Sequence, residues 1–90
     1  MNLREAIAAY TNAASARDYY DDRRDAQRAD AAAEHLRHCG RVIDAQLAVA
    51  EAAIALAEYQ AFVAFNPAVE DELWRAFKEA HKAAKDANQQ

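Results

Sequence analysis

An all-α fold follows from three observations. Alanine, the strongest helix former, fills 26 of the 90 positions. Glycine and proline occur once each, so the chain lacks the breakers that a β fold places in its turns. Between those breakers apolar residues return every three to four positions, the helical period. Together they predict one domain: an antiparallel three-helix bundle with an overlong, possibly kinked first helix, open to a bend at Thr11–Ser15.

The first helix is expected over residues 3–38. Asn2 can cap it, and Glu5 stands at the reciprocal capping-box spacing. Leu3, Ile7, Tyr10 and Ala14 form one apolar stripe. Thr11, Asn12 and Ser15 prefer caps and turns, and Ser15 with Asp18 repeats the capping-box spacing. The alanines around them favour continuity. Gly40 is the natural residue to end the helix, since glycine takes the left-handed conformation without a Cβ penalty.

The second helix is expected over residues 41–65. Ile43, Leu47, Ala50, Ile54, Ala57 and Ala61 make a seam of coiled-coil spacing. Asp44, Glu51 and Glu58 recur every seven residues beside it. Val42, Val49, Ala53, Leu56 and Val63 add a second apolar face. A helix apolar on most sides is expected to be central and covered by more than one neighbour. Asn66 and Pro67 suit the cap and first position of a third helix over residues 67–87. Its acids Glu70, Asp71 and Glu72 come early and Lys78, Lys82 and Lys85 late, as the helix dipole favours. Val69, Leu73, Ala76, Phe77, Ala80, Ala84 and Ala87 form its inward stripe.

Turns at Gly40 and Asn66 leave residues 3–14 overhanging. Leu3, Ile7 and Tyr10 cannot stay in water cheaply, so the segment either folds back as a fourth helix or packs on a second copy. A homodimer through helix 2 and Leu3, Ile7 and Tyr10 is the favoured reading. The same turns bring Tyr19 and Tyr20 towards Tyr59, Phe62 and Trp74, an aromatic end at which the bundle should splay.

Chemistry finds few materials. The net charge of −4 lacks the basic patch of a nucleic-acid binder. Asp44, Glu51 and Glu58 interrupt the most apolar run, which argues against a membrane span. A lone Cys39 excludes an internal disulfide and fits a reducing, cytoplasmic compartment, and the first residues show no secretory pattern. His35, His38 and Cys39 are the one grouping of metal-ligand type, and zinc wants three or four ligands in tetrahedral array. The bland reading is a helix end favoured by histidine, so no metal or other cofactor is expected. Ser15 and Thr11 stand without a base and an orienting partner, so no enzyme is expected either.

Surfaces remain. In RDYYDDRRDAQR, residues 17–28, eight of twelve positions are charged. Helical spacing allows Arg17–Asp21, Asp21–Arg24 and Asp25–Arg28 pairs, the mark of a solvated face. Against that, aspartate is a poor mid-helix residue, and Arg and Tyr are favoured at interfaces. Asp21, Asp22, Arg23, Arg24, Asp25, Arg28, Tyr20 and Trp74 are therefore the candidate partner-binding residues. The expected function is a non-enzymatic protein–protein interaction module, a small inhibitor or adaptor of the phage or mobile-element type by analogy of size and composition. A purely structural oligomerisation module and a His/Cys metal-binding protein are the alternatives.

Overall fold

The computed structural model describes residues 1–62 and 64–89. It is all-α: α1 spans Leu3–Asp22, α2 spans Ala26–Phe62 and α3 spans Pro67–Gln89. Val63, assigned above to the second apolar face, and Gln90 lie outside the described residues. The chain forms two compact units, one over Met1–Ile43 and one over Asp44–Gln89.

The first turn is not where the sequence predicts it. Gly40 lies inside α2 with an ordinary helical backbone, and the break falls at Arg23–Asp25. Helix 1 over 3–38 and helix 2 over 41–65 are thus corrected to Leu3–Asp22 and Ala26–Phe62. Residues 11–15 continue α1, with the Thr11 hydroxyl donating to the Ile7 carbonyl at 3.0 Å.

Local bonding explains the break. Arg24 N–H donates to the Asp21 carbonyl at 3.0 Å and Asp25 N–H to the Tyr20 carbonyl at 2.9 Å. These are the paired bonds of a Schellman ending, which satisfies carbonyls that the helix end leaves orphaned. Arg24 occupies its left-handed position at φ 57°, where glycine is usual. Asp25 then opens α2: its carboxylate accepts from Arg28 N–H at 3.2 Å and its carbonyl from Ala29 N–H at 3.0 Å. One aspartate ends the first helix and starts the second.

Within the first unit the turn brings Gly40 beside Tyr10, whose ring edge lies 3.7 Å from where a Cβ on Gly40 would sit. The expected overhang of residues 3–14 therefore does not exist. Ala6, Ala13, Ala29, Cys39 and Val42 are buried there. The inward stripe of α1 is rotated from the predicted one: alanines point in, while Ile7 and Tyr10 stay exposed. Small side chains let helix backbones approach closely, at the expense of apolar burial, worth roughly 0.8 kcal/mol per methylene-sized group.

The second unit places Leu56 and Tyr59 in its core, and no residue of α3 is fully buried. Leu73, Phe77, Ala80, Ala84 and Ala87 are half-buried, as expected of the inward stripe, whereas Val69 and Ala76 are exposed. Asn66 caps α3 by accepting from Ala68 N–H at 3.1 Å. Tyr59 reaches the same residue: its hydroxyl donates to the Asn66 carbonyl at 2.8 Å and accepts from Asn66 N–H.

Candidate interaction surfaces

The charged stretch of residues 17–28 is the α1–α2 turn itself. Tyr19 and Tyr20 pack edge to face, with ring centroids 5.3 Å apart. The Arg23 guanidinium stands 4.3 Å from the centre of the Tyr19 ring, and that of Arg28 lies 5.7 Å from Tyr20. Such cation–π contacts contribute about 0.5–1 kcal/mol at exposed sites. Arg28 also pairs with Asp25 at 3.6 Å. Arg17 meets Asp18 at 3.4 Å rather than the expected Asp21. Among the described residues, the carboxylates of Asp21 and Asp22 and the guanidinium of Arg24 enter no ion pair or hydrogen bond. The meeting of Tyr19 and Tyr20 with Tyr59 and Trp74 rested on a turn at Gly40, and that premise is corrected.

Trp74 belongs to α3, where its ring meets Phe77 edge to face at 6.0 Å and is partly exposed. Phe77 in turn stacks on His81 at 6.3 Å. Gln46, Val49, His81, Ala84, Lys85 and Asn88 line an open groove of about 350 Å³. In the first unit Cys39 is buried, with its Sγ 3.8 Å from His35 Nε2. Among the described residues no three His, Cys, Asp or Glu side chains gather so as to hold a metal ion. None of the described helices is long and apolar enough to cross a membrane.

The largest departure from the sequence reading lies on α2. From Leu47 to Ala61 its predicted seam is the open face, while Ile43, the first member, is half-buried. Leu47 is 45% exposed and Ile54 57%, and Ala50, Ala57 and Ala61 are exposed with them. Val42, Val49 and Leu56, assigned to a second face, are the residues that pack inward, although Ala53 does not. Val42, Val49 and Leu56 recur every seven residues, close to two turns at about 3.6 residues per turn, and so share one side of the helix. Tyr59, three residues beyond Leu56, is held inward through Asn66. Phe62, the last residue of α2, is 85% exposed, and Phe65 beyond it 75%.

No family model, curated protein or solved structure matches this chain.

The open face of α2 is therefore described by its own chemistry. Asp44, Glu51 and Glu58 are all exposed beside it, and no ion pair engages them among the described residues. No Lys or Arg occurs between Val42 and Trp74. The spacing of the seam was legible beforehand; its lack of cover was not. The signal for that was the aspartate cluster ahead of Ala26, which marks a turn and a cap.

Proposed function

We propose that this chain is a non-enzymatic protein–protein interaction module, a small inhibitor or adaptor that covers a surface on a macromolecular partner. One observation carries the reading: a continuous heptad-spaced apolar row, Leu47 to Ala61, stands exposed on α2. Large apolar patches on soluble chains mark interaction sites. Phe62, Phe65 and Trp74 add aromatic surface in the same unit, and aromatic residues are enriched among binding hot spots. At the α1–α2 turn Arg23, Arg28 and Asp25 serve the turn, so recognition there falls to Asp21, Asp22 and Arg24. A cytoplasmic setting suits the lone thiol of Cys39.

A photo-crosslinking residue placed at Ile54, and separately at exposed Lys82, tests the reading in cells that make the chain. A discrete adduct from position 54 that position 82 does not give is the expected result. Indistinguishable adducts from both positions, or none from position 54, overturn it.

The alternative is a structural module in which the seam meets its own copy, as a homodimer. The heptad spacing favours this reading too. An adduct of twice the chain mass, with a matching mass in solution, would establish it in place of the first.

A further inference from the structure

Resting on that reading, we infer that the open face of α2 receives an amphipathic helix of another protein whose flanking positions are basic. In heptad terms Leu47, Ile54 and Ala61 occupy a positions, and Ala50 and Ala57 occupy d positions. The e positions are then Asp44, Glu51 and Glu58, and the g positions are Gln46, Ala53 and Gln60. In a coiled coil the e and g residues set partner choice and orientation.

A second copy answers these charges poorly. Laid parallel, the seam puts neutral Gln46 opposite Glu51 and Ala53 opposite Glu58. Laid antiparallel about Ile54, it puts Glu51 against Glu58 of the other copy, a like-charge contact. Neither arrangement compensates the carboxylates. A partner helix with Lys or Arg every seven residues on the facing flank pairs with Glu51 and Glu58 together. The small d residues Ala50 and Ala57 let that helix approach closely, and Leu47 and Ile54 supply the larger apolar contacts. From Leu47 to Ala61 the seam is about 21 Å long at about 1.5 Å per residue, so a partner of two to three heptads covers it.

The probe is a fluorescein-labelled synthetic helix of three heptads, with leucine at a and d and lysine at e and g. Its twin carries glutamate at e and g. Each is titrated with the full chain and read by fluorescence anisotropy, with far-UV circular dichroism as the check on folding. The lysine peptide is expected to bind at least tenfold tighter than its twin. Ile54→Lys should abolish that binding, and Glu51→Lys with Glu58→Lys should reverse the preference. Asp71→Lys with Glu72→Lys changes the net charge equally at exposed positions on α3 and should leave the preference in place.

Equal binding of the two peptides overturns the inference. So does binding unmoved by Ile54→Lys, or a preference lost equally in the α3 variant, which would mean that net charge alone attracts the peptide. A doubled solution mass abolished by Ile54→Lys overturns it in favour of a second copy. A heterologous adduct at Ile54 whose partner lacks a basic helix refutes this inference and leaves the interaction reading standing.

Discussion

At Arg23–Asp25 the chain leaves one helix and enters the next without glycine or proline; ahead of α3 it does so with Asn66, Pro67 and a tyrosine seven residues back. The first turn closes on local backbone bonds, from Arg24 to Asp21 and from Asp25 to Tyr20. The second depends on Tyr59, a core residue whose hydroxyl holds both backbone groups of Asn66. A turn made of local bonds can sit wherever the adjoining helices gain most from packing. A turn tied to a buried side chain cannot move without disturbing the core. The Asn–Pro turn is also restricted by its own residues, because proline fixes φ and has no N–H.

The largest effect expected from breaking this contrast is at the second turn. Tyr59→Phe keeps the ring and removes two hydrogen bonds, each worth about 0.5–1.5 kcal/mol net. A loss of roughly 1–3 kcal/mol in urea unfolding is expected on that basis. No loss would mean that the clasp does not hold the turn.

Two substitutions at the first turn sharpen the comparison through their signs. Arg24→Gly should stabilise by about 1 kcal/mol, because the left-handed conformation costs a side-chain-bearing residue roughly that much. Were residues 3–38 one helix, the same change would destabilise by a similar amount. Gly40→Ala should stabilise by about 0.5–1 kcal/mol, since glycine weakens a helix interior. The added methyl meets Tyr10 at 3.7 Å, an ordinary contact. Were Gly40 a left-handed helix ending, alanine there would destabilise instead. Thermal unfolding of the pair, read by circular dichroism, therefore reports where the chain turns.

Much of this could be read in advance. The Asn2 cap, the Asn66–Pro67 start of α3 and most of the α3 stripe follow from local rules, and the structure has them. The heptad row on α2 was legible for the same reason. Two things were not. Gly40 offers the better helix ending in isolation, yet tertiary packing outweighs a glycine cost of about 1 kcal/mol. Ile7 and Tyr10 look like core residues beside alanine, yet close approach of helices rewards the smaller side chains. Of the candidate binding residues, the six charged ones and Tyr20 do gather at one turn, but Asp25 is a cap and Arg23 and Arg28 lie over tyrosines.

The sequence by itself determined that this chain is helical, because alanine abundance and scarcity of breakers act residue by residue. It also determined the acidic row and the apolar row of α2, because both are matters of spacing. Only the tertiary structure decided which face of α2 is covered. Both faces are apolar enough to pack, and which one is covered depends on contacts made across the turns, not on spacing within the helix. With the turns at Arg23–Asp25 and ahead of Pro67, Val42, Leu56 and Tyr59 go inside and Leu47 and Ile54 are left to water.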